Sequence, residues 1–314
     1  MKVIRIGTRG SPLALWQAEW VRSQILVLHP DYKVELIKIK TTGDRITDVP
    51  LAQVGGKALF VKEIEVALIE GGIDLAVHSM KDMPAEIPSG LCIGAVPKRE
   101  NPLDVLISRN THSFEGLPKG ARLGSSSLRR GAQVRHVRPD IAVLPLRGNL
   151  DTRIRKLETE GLDAIIVAAA GVKRLGLEDR ITEYLSEAIM LPAVGQGALA
   201  IEMREDDSFV QRLVFPLDHR ETRLAVESER AFLCRLEGGC QVPIAAKAEV
   251  IEDQLHMTGL VAEVDGSVLF REVIAGSVDQ HEDLGAELAN RLLEMGGEKI
   301  LSDILGRAVQ DLTT

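Results

Sequence analysis

Aromatic side chains are scarce: two Trp, two Tyr and six Phe make up 3% of the 314 residues. Proteins that hold single-stranded nucleic acid stack bases on aromatics, so the composition argues against that mode. Cysteine is scarcer still. Cys92, Cys234 and Cys240 cannot all pair with one another, and none shows C-x-x-C spacing. Free thiols in a reducing compartment fit this usage. No apolar run approaches the roughly 20 residues of a spanning helix; the most apolar stretch is Ala164 to Val172. The opening MKVIRIG enters a strand-like pattern at once and leaves no room for a signal peptide. The expectation is a cytoplasmic protein with no membrane partner. Phosphate loops are missing too, since neither G-x-x-x-x-G-K-[ST] nor a strand-following G-x-G-x-x-G occurs. No His, Cys and Asp cluster has zinc spacing, so no metal is expected.

What is present is an uneven charge. Between Lys119 and Lys156 ten Lys or Arg face only two acids, Asp140 and Asp151, a local balance of +8. The whole chain carries −8, so the remainder carries −16. A basic region set in an acidic protein reads either as a solvated helix face or as a focused anion site; a nucleic-acid coat is normally broader.

The length predicts two or three domains. The first part alternates strands with helices, which implies mostly parallel sheets covered on both faces. Strands are expected at Val3 to Gly7, Lys33 to Ile39, Ile73 to Val77 and Leu91 to Val96. Ser11-Pro12 offers an N-cap and an N1 proline for a helix to about His29, with Leu15, Ala18, Val21, Ile25 and Leu28 on one face. PKRENP (Pro97 to Pro102) reads as a crossover, a second series begins at Asp104, and LPAVGQGALA (Leu191 to Ala200) reads as the return. After Asp218 comes an α+β pattern: a helix over Glu221 to Leu236, three strand-like runs with a hairpin signal at Asp265-Gly266, and a helix from His281 ending at Gly296-Gly297. The expected domains are 1–98 with 198–217, 103–191, and 219–314.

Four strand-to-helix junctions carry unusual residues: TRGS (Thr8 to Ser11), HSMKDMP (His78 to Pro84), SSSLRR (Ser125 to Arg130) and RGNLDTR (Arg147 to Arg153). In a parallel sheet such junctions share the carboxyl edge, where ligands bind. Helix N-termini and hydroxyls there favour anions, and arginine forks match carboxylates. Four at one edge, across two domains, point to a carboxylate-rich ligand held in the cleft between them. Asp82, beside Lys81, reads either as a turn-forming acid or as a carboxylate that accepts protons and stabilises positive charge. Cys240, in LEGGCQVP, reads either as a small buried hydrophobe or as an exposed thiol on a glycine loop.

With these residues in view, the chain resembles the porphobilinogen deaminase (hydroxymethylbilane synthase) family. The matching segments span nearly the whole chain: TRGSPLALWQA (Thr8 to Ala18), VGGKALFVKEIE (Val54 to Glu65), DLAVHSMKDMP (Asp74 to Pro84), GSSSLRR (Gly124 to Arg130), LRGNLDTR (Leu146 to Arg153), LPAVGQGA (Leu191 to Ala198) and EGGCQVP (Glu237 to Pro243). The resemblance implies two periplasmic-binding-protein-like, doubly wound α/β domains joined by hinges, plus a smaller α+β third domain. It also implies a transferase of tetrapyrrole (haem- or chlorophyll-type) biosynthesis. That enzyme adds four porphobilinogen molecules to a dipyrromethane cofactor tethered by a thioether, losing ammonia each time, then releases hydroxymethylbilane by hydrolysis. On this resemblance Cys240 is the attachment point and Asp82 the catalytic carboxylate. Arg9, Lys81, Arg129, Arg130, Arg147, Arg153 and Arg174 match the carboxylate-binding cations. Ser11, Ser79, Ser125, Ser126, Ser127 and Gly148 fall where the family uses hydroxyl or backbone donors, and Lys57 and Phe60 match a mobile loop. The family tends toward monomers. Gln53 and Ser125 depart from the pattern, at positions where lysine and threonine are expected.

Overall fold

The computed structural model describes residues 3–45, 60–236 and 242–311. Among the described residues the strands form three sheets. The first holds β1 (Val3–Thr8), β2 (Lys33–Lys38), β3 (Leu75–Ser79), β4 (Leu91–Ala95) and β10 (Leu199–Arg204) in the order β2-β1-β3-β10-β4. The second holds β5 (Asp104–Ser108), β6 (Arg122–Gly124), β7 (Ala142–Leu144), β8 (Ala164–Ala168) and β9 (Glu183–Tyr184) in the order β7-β6-β8-β5-β9. The third is an antiparallel meander of β11 (Ile244–Ile251), β12 (Gln254–Ala262) and β13 (Leu269–Ser277). The helices are α1 (Pro12–Leu28), α2 (Thr42–Arg45), α3 (Lys62–Ile69), α4 (Leu128–Val137), α5 (Leu150–Thr159), α6 (Ala169–Arg174), α7 (Ser208–Val214), α8 (Arg220–Arg235), α9 (His281–Leu292) and α10 (Glu298–Asp311). The fold is therefore α/β with an α+β third unit.

The two five-stranded sheets repeat one plan. In each, four strands run in one direction, and the fifth runs antiparallel to both its neighbours: β10 between β3 and β4, β5 between β8 and β9. Alternating βα units alone predicted nearly parallel sheets, and the exception has a plain cause. Both odd strands follow a crossing from the other sheet. The crossing leaves at the carboxyl edge of the parallel strands, so the strand that follows starts at that edge and must run the other way.

The crossings pack against each other. Glu100 N–H donates to Gly197 O at 3.2 Å. Gly197 has φ +89°, and a Cβ there would lie 2.3 Å from the Glu100 carbonyl oxygen, so only glycine fits. Buried Glu229 of α8 holds both segments at once. It accepts from Arg99 Nη1 and Nη2 (2.6 and 3.1 Å), from the Gly195 N–H (2.6 Å) and from the Ala248 N–H of β11 (2.8 Å).

Two helix readings shift. On α1 the buried stripe is Ala14, Gln17, Ala18, Val21 and Ile25, whereas Leu28 is exposed on the last turn. The helix begun at His281 breaks at Leu293–Gly297, but α10 resumes immediately beyond it. The core of this third unit centres on Phe232, Leu288, Leu292 and Met257.

Candidate active site

The carboxyl edges of the two five-stranded sheets carry the four junctions. After β1, Ser11 caps α1 by accepting from the Ala14 N–H at 3.3 Å, with Pro12 opening the helix. After β6, Ser127 caps α4 by accepting from the Arg130 N–H at 3.4 Å. Ser125 Oγ accepts from the Ser127 N–H at 3.3 Å. Ser126 Oγ donates to Leu146 O and accepts from Leu146 N–H, tying this junction to the one after β7. Gly148, at φ +116°, leaves no room for a Cβ beside Thr152, and its carbonyl accepts from Arg153 Nε at 2.8 Å.

Beneath the SSSLRR turn lies a buried charge cluster. Asp104, fully enclosed, accepts from Arg129 Nη1 (2.7 Å) and from Arg130 Nε and Nη2 (3.0 and 2.6 Å). Burial would raise its carboxyl, but the two guanidinium groups outweigh that and hold it well below the usual carboxylate range. Arg129 also donates to Leu191 O at 2.7 Å. Gln196, between the crossings, donates to Asp104 Oδ1 (3.1 Å) and Pro102 O (2.7 Å), while its own carbonyl accepts from Lys81 Nζ at 3.3 Å. Thus the arginine turn of one sheet and the Lys81-Asp82 turn of the other are joined through a single glutamine.

Lys81 and Asp82 lie on the short turn Met80–Asp82 that ends β3. Burial lowers the Lys81 ammonium to about 8; Arg130 and Arg129 act in the same direction, against Asp82 and Asp104. Arg153 is lowered to about 10 by burial and by Arg130 and Arg147, against the pull of Asp82. Lys81 thus feels Arg130, and Arg153 feels Asp82, although each pair comes from different sheets. Among the described residues Asp82 accepts no hydrogen bond. One donor also stands out: Arg147 Nη1 is buried without a partner.

Other expected residues sit differently. Arg9 is ion-paired with Asp44 and lies 4.2 Å from the centroid of the Phe60 ring. Ser79 Oγ accepts from Gln17 Nε2 at 2.9 Å. Arg174 donates to Gly197 O at 2.8 Å and lies 5.8 Å from the Trp16 ring; burial lowers it to about 10, with Glu100 opposing. Cys240 and Lys57 fall outside the described residues. Asp104, Gln196, Asp44 and Gln17 were not singled out from sequence. Two had a visible cue: an acid opening an apolar strand, and a glutamine between two glycines.

The family profile described as "Porphobilinogen deaminase, dipyromethane cofactor binding domain" matches residues 4–212, and "Porphobilinogen deaminase, C-terminal domain" matches residues 223–294. The chain belongs to the porphobilinogen deaminase family. The porphobilinogen deaminase of Syntrophotalea carbinolica is 56% identical over 299 residues, 95% of each chain. That of Geobacter sulfurreducens is 54% identical over 306 residues, covering 98% of this chain and 96% of the other. Solved structures aligned with it include a putative methionine-binding lipoprotein of Bacillus subtilis (TM-score 0.42, 14% identity, 69% of this chain and 90% of that one). The alkanesulfonate-binding protein SsuA of Xanthomonas axonopodis aligns with TM-score 0.38 and 15% identity over 74% of each chain. Membership in the deaminase family rests on the profiles and the close relatives.

Proposed function

We propose that the facing carboxyl edges of the first two sheets form the site where this deaminase joins four porphobilinogen molecules head to tail and then releases hydroxymethylbilane by hydrolysis. The observation that carries this reading is Arg147 Nη1, a buried donor without a partner among the described residues, in a site where Arg153 feels the charges of Arg147, Arg130 and the open carboxylate of Asp82. A buried guanidinium N–H left unpaired is costly, and an acetate or propionate oxygen satisfies it with a charge-assisted bond.

Each pyrrole of a dipyrromethane brings two such carboxylates, so the donor set fits this group. Ser79, Lys81, Ser125, Ser126, Ser127, Arg129, Arg130, Arg147, Gly148 and Arg153 would hold it, and Cys240 would tether it. When bound, it supplies the free pyrrole carbon to which the first substrate adds. Arg9, Ser11 and Arg174 serve incoming substrate, with Lys57 and Phe60 alongside.

In each addition the substrate's aminomethyl C–N bond breaks, and the nitrogen leaves with the bonding pair as ammonia. A C–C bond forms, and the attacked ring gives up one proton. Positive charge develops on the substrate ring as the amine departs. Asp82, without an internal hydrogen bond among the described residues, accepts from the pyrrole N–H, stabilises that charge and takes the proton. Lys81, carried on the same turn and held by Gln196, fixes one carboxylate of the ring relative to Asp82. The hinged units 1–98 with 198–217 and 103–191 bring the two edges together, and 219–314 presents Cys240. The protein works as a cytoplasmic monomer with no nucleic-acid partner; no helix among the described residues is long and apolar enough to cross a membrane.

The test is intact-protein mass spectrometry with peptide mapping. The purified chain should exceed its sequence mass by two linked pyrrole units, located on the peptide containing Cys240. Cys240→Ser should fold without the addition, while Cys92→Ala keeps it. A fully active but unmodified wild-type chain would refute the reading.

A further inference from the structure

Directly behind the Lys81-Asp82 turn lies a buried group of ionisable residues that the mechanism above leaves unused. His78 and Glu202 share one face of the first sheet: His78 of β3 pairs in register with Ala200 of β10, and Glu202 with Ala76. His78 Nε2 lies 3.0 Å from Glu202 Oε2, with both side chains almost fully enclosed. Helix α3 packs on the same strands and turns Glu65 inward, also buried. The surrounding shell is apolar, made of Val61, Met80, Ile93, Ala198, Ala200 and Val226.

The charges do not balance if every group is ionised. One imidazolium neutralises one carboxylate, and two are present. Among the described residues Glu65 Oε1 and Glu202 Oε1 both find no partner, though buried. The other ionisable groups that reach the cluster are Arg230 of α8, whose Nη2 already donates to Ala85 O, and Cys92 of β4, with Glu205 beyond it. Among the described residues none supplies a second counter-charge in contact. An ionised carboxylate buried with an unpaired oxygen costs several kcal/mol. A proton on one of the two carboxyls removes that cost and creates the missing donor.

We propose that Glu65 is a neutral acid in the folded protein, buried with the His78–Glu202 pair, and that this buried unit positions the Lys81-Asp82 turn. Glu65 is the protonated member because Glu202 already has His78. Its environment agrees: burial raises the Glu65 carboxyl and Glu202 raises it further, against His78. The unit acts through β3. His78 lies one residue before Ser79 and four before Asp82, so fixing its ring fixes the strand end from which the turn departs. Glu65 and Glu202 are positioning residues and touch no substrate.

The kinetic arm of the test rests on the proposed role of Asp82; the other two arms do not. In holoenzyme at neutral pH, infrared difference spectroscopy should show the carbonyl stretch of a protonated carboxylic acid, and Glu65→Gln should remove it. Because Glu65 binds its proton more tightly when folded, its stabilisation is complete below the unfolded value of about 4.3 and is lost as pH rises through the folded value. Glu65→Gln has no such loss, so its stability should gain on wild type as pH rises above about 4.3. For turnover, Glu65→Gln should retain kcat per folded holoenzyme. Glu202→Gln and Glu65→Leu should lower it by up to about 10²-fold with KM little changed, as for a displaced catalytic turn. Absence of the infrared band, or a Glu65→Gln stability difference that is flat with pH, overturns the neutral acid. Variants that lose stability yet keep wild-type kcat per folded holoenzyme overturn the positioning role. Should Glu65→Leu fail to fold, Glu202→Gln decides the kinetic arm. A chain that shows the band but makes no tetrapyrrole would count against the proposed site while leaving the buried proton intact.

Discussion

Asp104→Asn removes one negative charge and little else, and its consequence follows from four hydrogen bonds. The carboxylate accepts three bonds from Arg129 and Arg130 and one from Gln196, at 2.6–3.1 Å, in a fully enclosed position. Asparagine keeps one oxygen, which still serves Arg130 and Gln196. Its amide replaces Oδ2 and places a donor against the Arg129 donor at 2.7 Å. Two buried cations then lack a counter-charge, and breaking such a pair costs about 3–5 kcal/mol. A typical domain has about 5–15 kcal/mol in all. At about 2–4 °C per kcal/mol, the melting temperature falls by roughly 6–20 °C. The pH dependence has a definite sign. The folded carboxyl lies below its unfolded value of about 3.9, so the contribution is present above that pH and fades as pH drops further. The gap between Asp104→Asn and wild type should therefore be widest near neutrality and close in acid. Urea titrations followed by circular dichroism between pH 3 and 8 measure it. A variant within 1 kcal/mol of wild type at pH 7, or a gap that widens in acid, would refute the claim that Asp104 neutralises the arginine turn.

Asp82→Asn should fold normally and carry the chromophore, yet turn over roughly 10²–10⁴-fold more slowly; a loaded variant within threefold of wild type would remove Asp82 from the chemistry. Arg147→Leu should cost no stability, since one of its buried donors lacks a partner, but native mass spectra should show early enzyme–substrate complexes accumulating. Lys81 titrates at about 8 in the free site, below its unfolded value of about 10.4. Stability from this group accordingly rises with pH between those values, because there the unfolded chain binds more protons. A carboxylate-rich substrate restores the charge. Calorimetry near pH 8 in buffers of different ionisation enthalpy should therefore register proton uptake on binding, and Lys81→Met should abolish it.

Much of the site was legible because its chemistry is local. SSSLRR and RGNLDTR announce themselves through arginines beside helix starts, and the structure sets Arg130 within electrostatic reach of Lys81 and Arg153 within reach of Asp82. What stayed hidden is pairing across distance. Asp104 lies 25 residues from Arg129, and Glu202 lies 124 from His78; no periodicity links such partners. The arginine set therefore read as uniformly free for carboxylates, whereas Arg9, Arg129 and Arg130 each have an internal acid. The antiparallel course of β10 was hidden for a related reason. A strand's direction depends on where the chain enters the sheet, and its own residues carry no mark of it.

The insertion of one sheet within another constrains synthesis on the ribosome. β10 lies between β3 and β4, yet β4 ends at Ala95 and β10 begins at Leu199. Until that later stretch emerges, the nascent first sheet has a gap between β3 and β4, with two unpaired edges, and His78 lacks its Glu202 partner. At about 5–20 residues per second the wait lasts roughly 5–20 s. Over that interval the second sheet, contiguous in sequence from Asp104 to Tyr184, is free to close first. The amino-terminal half thus becomes a completed sheet only after the unit that follows it.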